Sequence, residues 1–299
     1  MKYISTIQEY YQHINVPLAR HEEFDARSFK ENMPTVRRHI QPFQHEFYAI
    51  GILFSGTSHQ WHGIKNMEAN LVFNSPYQLI SWNIENDWEG YYIVFSQDFL
   101  LKCHFGNQLL VDFPFLKLDE IAPFSIPNEH IAVLSDLFQK IIAEIKSNHR
   151  DKFAFIESYL NLLLLNIKRF TDTLSPSNVS HKKRTADIAL ISRYQTLIEN
   201  KLNETVVNSD YFATSFYAQE LAIHPNHLNA IAKRITGKTA KQLIQEKILQ
   251  SAKSLLLQTE MSVKEVAYQL GYKETSHFHN FFKKNTSLTP VQFRAVGQV

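Results

Sequence analysis

The chain has 299 residues, 44% hydrophobic, 20% charged and 13% aromatic, with 8 Gly and 10 Pro, which at about 150 residues per domain makes roughly two domains. This composition excludes a disordered, collagen-like or low-complexity chain, and the lone Cys103 excludes a disulfide framework and a Cys-rich zinc module. The net charge of +2 is unevenly divided: residues 1–181 hold 15 Lys and Arg against 20 Asp and Glu, a net of −5, while residues 182–299 hold 16 against 9, a net of +7. A basic half beside an acidic one points to a polyanion partner for the basic half, with chance segregation on two solvated surfaces as the alternative.

The start, MKYISTIQEYYQH, lacks the continuous apolar core of a secretory signal. The longest apolar stretch, Leu160 to Ile167, is interrupted by Asn161 and Asn166 and falls far short of the roughly 20 residues that span a bilayer. A soluble, reduced, cytoplasmic protein with no membrane partner is expected. From about Val36 to Phe99 the segments HEFYAIGILF, ANLVF, YQLISW and GYYIVF read as short strands separated by SGTSHQ, NSP and NIENDWEG. Strands at this spacing suggest a barrel or a sandwich.

The period then changes. Leu134, Leu137, Phe138, Ile141, Ile142 and Ile145 step by three and four, which is one stripe of a helix. A second helix is predicted from near Asp151 to about Phe170, apolar over most of its circumference. Such a helix must be covered on more than one side, so helices 131–146 and 152–170 are expected to form a homodimer; a central helix of one monomer is the alternative. TDTLSPSNVSHKKRT, residues 171–185, has no apolar period and reads as a linker.

Two helix–turn–helix patterns follow. In residues 218–237, Leu221 and Ala222 close a short helix, and Pro225 suits the first position of the next. Leu228, Ile231, Ala232 and Ile235 share one face of that helix, with Asn226, Asn229, Ala230 and Lys233 opposite and Gly237 at its end. In residues 262–290, Ser262 and Glu265 form a capping box, Val263, Val266, Ala267 and Leu270 make a stripe, and Gly271 permits a turn. The next helix buries Phe278, Phe281 and Phe282 and shows Thr275, Ser276, His279 and Asn280, with Lys283 and Lys284 at its end. A helix with an apolar back and a small polar front is what a major-groove reader requires. Between the units, Thr239 to Leu257 reads as one helix of 19 residues, about 28 Å at 1.5 Å per residue, comparable with the roughly 34 Å between successive major-groove faces.

With these residues in place the sequence resembles the AraC/XylS family of bacterial transcription regulators. The resemblance rests on LAIHPNHLNAIAKRITGKT in the first unit and SVKEVAYQLGYKETSHFHNFFKKNTSLTPVQFR in the second. It departs from the family in carrying Ser287 where Gly is usual, Ala240 where Pro is common, and Ala230 where some relatives have Arg. What the resemblance implies is an α+β multidomain fold: a cupin-like effector-binding and dimerisation domain over 1–173, a linker over 174–185, and a double helix–turn–helix DNA-binding domain over 186–299. The implied partners are double-stranded promoter or operator DNA, a second copy of the chain, a small-molecule effector of unspecified identity and RNA polymerase, in the bacterial cytoplasm at the nucleoid.

The base-reading candidates are Asn226, Asn229, Ala230, Thr275, Ser276, His279 and Asn280, and the backbone-contacting candidates are Lys233, Lys273, Lys283 and Lys284. The effector-pocket candidates are Arg38, His45, Tyr48, Trp61, Trp82 and Tyr92. Trp88 and Tyr91 are further aromatic candidates, and Arg37 and Arg38 are placed to hold an anion; ordinary core and surface charge are the plain alternatives. Many cupins hold metal through a His-x-His pair and a later His, and here those places carry Phe43, His45 and Ile80. Two apolar residues among three ligand positions leave no metal or cofactor expected, and His59 and His62 are read as solvated loop residues. A metal-dependent cupin enzyme is therefore disfavoured, as is an alkyl-accepting repair protein, which needs an activated cysteine. Cys103 is read as a buried inert thiol.

Overall fold

A computed structural model of the chain describes residues 2–54, 69–84, 88–106, 109–117, 124–171, 186–204 and 207–297. The chain divides into two units, one of Met1–Phe99 with Phe113–Arg184 and one of Leu100–Asp112 with Thr185–Val299. Trp61, His59, His62 and the expected linker over 174–185 lie outside the described residues.

The first unit is built from strands β1 (Lys2–Ile4), β2 (Phe24–Ser28), β3 (His39–His45), β4 (Tyr48–Phe54), β5 (Ala69–Asn74), β6 (Leu79–Asn83), β7 (Gly90–Phe95) and β8 (Phe124–Ser125). They form two sheets, in the orders β1-β3-β6 and β2-β7-β4-β5-β8. The strands expected from the sequence form these two sheets, and among the described residues no hydrogen-bonded strand pair joins them into a ring. β4 pairs on one side with β5 and on the other with β7, and its run YAIGILF is nearly continuous in apolar residues, as a strand covered on both faces must be. β3 shifts register between Ile40 and Phe43. The bulge falls at Pro42, which has no N–H for the ladder.

Helix α1 (Ile7–Ile14) buries Ile7, Tyr11 and Ile14 in a core shared with Ile4, Phe43, Phe47, Ile80 and Val94. The four-residue helix α2 (Phe29–Asn32) is held by charge: Glu31 meets Arg20 at 2.9 Å and Lys146 at 2.9 Å. Just before it, buried Asp25 accepts from Arg27 Nε at 2.7 Å and Arg20 Nη1 at 3.1 Å, so this buried carboxylate is paired rather than stranded. Helices α5 (Asn128–Lys146) and α6 (Lys152–Thr171) follow the predicted period, with Leu134, Leu137, Phe138, Ile141, Ile142 and Ile145 buried on α5. On α6, Phe155, Leu162 and Leu165 remain exposed while Ile156, Leu160, Leu163, Leu164 and Ile167 are buried.

In the second unit, α3 (Gln97–Lys102) contributes its last residues and α4 (Leu109–Asp112) follows. The sequence reading places 100–112 with the strands; the structure places them with the helices. Leu101, Cys103 and Leu109 are buried, and Gln258 Nε2 donates to the carbonyls of Leu101 at 2.8 Å and Cys103 at 2.9 Å. Leu110 N donates to Glu199 Oε1 at 3.2 Å, and the other oxygen of that buried carboxylate meets Lys247 at 3.3 Å. The remaining helices are α7 (Ala186–Leu202), α8 (Thr214–Glu220), α9 (Pro225–Thr236), α10 (Ala240–Gln258), α11 (Val263–Gln269), α12 (Thr275–Thr286) and α13 (Pro290–Gly297). Among the described residues no helix is long and apolar enough to cross a membrane.

Candidate functional site

The two helix–turn–helix units are α8–α9 and α11–α12. Each first helix ends in the same reverse turn. Ala222 N donates to Gln219 O at 3.0 Å and Ile223 N to Ala218 O at 2.9 Å; in the second unit Gly271 N donates to Tyr268 O and Tyr272 N to Ala267 O, each at 2.9 Å. This pair of bonds satisfies carbonyls that a helix end would leave open, and it requires a left-handed residue: Ala222 has φ 54° and Gly271 φ 82°.

The second helices, α9 and α12, are both 12 residues long and align residue for residue at an offset of 50. Leu228 and Ala232 are buried on α9, as are Phe278 and Phe282 on α12. Exposed on α9 are Asn226, His227, Ala230, Lys233 and Arg234; exposed at the equivalent places on α12 are Ser276, His277, Asn280, Lys283 and Lys284, with Asn285 exposed on another side of its last turn. At about 100° per residue the equivalent places fall in one arc of each helix. Both helices then end alike. Gly237 and Ser287 adopt left-handed φ of 74° and 63°, and Thr236 and Thr286 each donate to the carbonyl four residues back, at 2.8 Å in both.

Most of the residues predicted from sequence lie on this exposed arc: Asn226, Ala230, Ser276 and Asn280 with Lys233, Lys283 and Lys284, while Lys273 is exposed in the turn before α12. Thr275 is half-buried at the start of α12. Asn229 and His279, also half-buried, occupy equivalent flanking places but differ in what holds them. Asn229 Oδ1 accepts from Ala240 N at 3.2 Å, tying α9 to the start of α10. The residue equivalent to Ala240 is Pro290, which has no N–H to offer His279. The sequence reading missed His227 and His277, matched at the offset of 50 and exposed in both units; aligning the two units residue by residue would have found them. Arg234, also exposed, is paired with Asp187.

Helix α10 joins the units. Thr239 and Gln242 form a capping box at its start. Its early residues Ala240, Leu243 and Ile244 are buried, and Tyr194 Oη donates to Ala240 O at 2.8 Å. Its late residues Ala252 and Leu256 pack with Val266, Ala267, Leu270, Phe278 and Phe282. Arg294 donates through Nε to Leu256 O at 2.9 Å and through Nη2 to Met261 O at 2.6 Å, satisfying a carbonyl in the last turn of α10. Arg294 thus fastens α10 to the second helix–turn–helix unit.

In the first unit a cavity of about 70 Å³ lies between α1, α2 and strands β4 to β7, lined by Tyr10, Asn32, Gly51, Asn74, Trp82, Trp88 and Tyr92 among others. Of the effector-pocket candidates, Trp82 and Tyr92 line it. Arg38, His45 and Tyr48 do not line it. Arg38 is exposed. His45 is fully buried against Phe47, with ring centroids 4.3 Å apart, and burial lowers its pKa to about 3, so it is a neutral core residue. Tyr48 stacks on Phe95 at 5.5 Å. Phe43 and Ile80, at two places where a cupin carries ligands, are buried partners across β3 and β6. Among the described residues no three His, Cys, Asp or Glu side chains are grouped to hold a metal ion. Cys103 is buried.

Residues 217–295 match a family model described as a helix-turn-helix domain. The chain is 23% identical over 261 residues to the melibiose operon regulatory protein of Escherichia coli K12, covering 83% of this chain and 74% of that one. It is 25% identical over 269 residues to the HTH-type transcriptional activator RhaR of Mannheimia succiniciproducens, covering 87% and 90%. Among solved structures, the C-terminal domain of the response regulator yesN from Fusobacterium nucleatum is 30% identical and covers 34% of this chain and 98% of its own, with a TM-score of 0.31. With paired helix–turn–helix units at its C-terminal end and regulators aligned along most of its length, the chain carries an AraC-type helix–turn–helix domain and is similar over most of its length to DNA-binding transcription regulators.

Proposed function

We propose that the helical unit reads two successive major-groove segments of one DNA duplex, α9 entering one and α12 the next, under the control of a small molecule held by the strand-bearing unit. The observation that carries the reading is the shared burial register of α9 and α12, which turns small polar side chains and paired terminal cations outward from both. A rigid 19-residue helix between them fixes their separation, which a flexible tether would not. Asn226, His227 and Ala230 form one reading comb; Ser276, His277, His279 and Asn280 form the other. Lys233, Lys273, Lys283 and Lys284 meet phosphates.

The test is binding to a selected operator and to random DNA across a salt series. Replacing His279 or Asn280 by Ala is expected to cost about 1–3 kcal/mol on the operator and to relax preference at one or two base pairs. Lys283→Ala or Lys284→Ala is expected to weaken both DNAs alike and to flatten the salt dependence by about one unit of slope. If both groups of variants behave alike, the assignment of the reading face is wrong.

A dimer formed through α6 is part of the same reading. Its support is the exposed row Phe155, Leu162 and Leu165, large apolar side chains on a helix whose opposite face already fills the core. Leu162→Lys with Leu165→Glu is expected to give a monomer in sedimentation equilibrium without loss of the folded circular-dichroism signal.

A further inference from the structure

We propose that the cavity of the strand-bearing unit takes a small, uncharged, largely apolar molecule bearing one or two O–H or N–H donors: a phenol or an alcohol, rather than a sugar or a carboxylate. The proposal rests on the reading of this unit as an effector sensor and names the chemistry of its ligand.

The polar inventory of the cavity is short. Among the described residues its lining contains no charged side chain. Trp82 Nε1 donates to Arg37 O at 2.9 Å and is already used. Asn32 Nδ2 donates to Tyr92 Oη at 2.5 Å, and burial raises the pKa of that tyrosine to about 12, so it stays neutral. Tyr10, whose pKa burial also raises, stays neutral too. Among the side-chain amide oxygens of the lining, the Oδ1 of Asn32 and the Oδ1 of Asn74 are both buried and both lack a hydrogen-bond donor. Asn32 is 3% exposed, at the end of the helix that Glu31 anchors. A buried acceptor left without a donor costs stability, and a ligand with an O–H or N–H would recover it. A sugar would bring several hydroxyls to a site with two open acceptors and leave most unpaired. A carboxylate would bring a charge that no described lining residue neutralises.

The space is also specified. Gly51 stands in central strand β4, where glycine weakens a sheet and marks a place of close approach. Its φ is not left-handed, so the backbone does not require glycine there. A Cβ at Gly51 would lie 3.0 Å from Val72 Cγ2 and 3.5 Å from Phe29 Cζ, so a side chain would crowd the cavity wall. The volume of about 70 Å³ is about half of the ~150 Å³ that accommodates benzene. One ring is therefore the upper limit, and it enters with movement of a neighbour such as Met33, which lines the cavity and whose unbranched side chain yields readily.

The experiment is calorimetric titration and thermal shift of the full chain with phenol, toluene, benzoate and xylose. Phenol is expected to bind saturably and raise Tm, toluene to bind at least tenfold more weakly, and benzoate and xylose not to bind. Gly51→Val is expected to abolish phenol binding, and Asn74→Leu to reduce the phenol–toluene ratio toward one; either variant serves if the other fails to fold. Equal binding of toluene, preferential binding of benzoate or xylose, or no binding of phenol overturns the proposal. Xylose binding that Gly51→Val removes would overturn it and leave the sensor reading standing. Phenol binding that leaves operator affinity unchanged would uphold the ligand chemistry and sink the sensor reading instead.

Discussion

The two helix–turn–helix units have closely matched backbones but fill them differently. The first packs Leu228, Ile231 and Ala232 beneath its second helix; the second packs Phe278 and Phe282 at the positions of Leu228 and Ala232. Their left-handed positions are also distributed in opposite senses: Ala222 and Gly237 in the first, Gly271 and Ser287 in the second. The contrast separates two reasons for a glycine. A Cβ on Gly237 would meet nothing within 4 Å, whereas one on Gly271 would lie 2.5 Å from Val207 O. Ala222 and Ser287 are exposed and carry only the cost of the left-handed backbone, about 1–2 kcal/mol. Of the four positions, Gly271 is the one that sterics enforce.

Making the units more alike should therefore have unequal consequences. The largest is expected from Phe282→Ala, which gives the second unit the residue found at Ala232: a loss of about 3–5 kcal/mol in urea unfolding, because the ring is fully buried and its space will not collapse. Gly271→Ala copies Ala222 and is expected to cost about 2–4 kcal/mol, from the left-handed strain plus the push against Val207 O. If it costs no more than Gly237→Ala, the steric part of the comparison fails. The smallest change has the opposite sign. Ser287→Gly and Ala222→Gly relieve strain while loosening the unfolded chain, so each is expected to raise stability by about 0.5–1 kcal/mol in thermal melts.

The helical half was legible in the sequence because its information is local. Ser262 with Glu265, Thr239 with its helix, Pro225, Gly237 and the Phe278–Phe282 spacing each specify a cap, a turn or a buried face within a few residues, and the structure has each of them. The strand-bearing half was legible as strands and as the two apolar stripes of α5 and α6, but not as a cavity. The sequence does not show that Tyr48 stacks on Phe95 while Tyr92 faces a cavity, because aromatic residues look the same on either face of a sheet. Nor could it show Asn32, which earns its place through a partner 60 residues away. Asn229 illustrates the limit inside the helical half: its spacing matches a reading face, yet its carbonyl is committed to Ala240, a contact no periodicity reveals.

Gln258 and Glu199 bind carbonyls and an amide of residues 101–110, so the regulator's modules are not separable by one cut. Chimeras spliced within 172–185 would bring α7 and α10 from one parent and the short insert they clasp from the other. Hybrids that also transplant residues 100–112 should yield more soluble product than single-junction hybrids, and gene fusions between this chain and a relative would do well to use three crossovers instead of one.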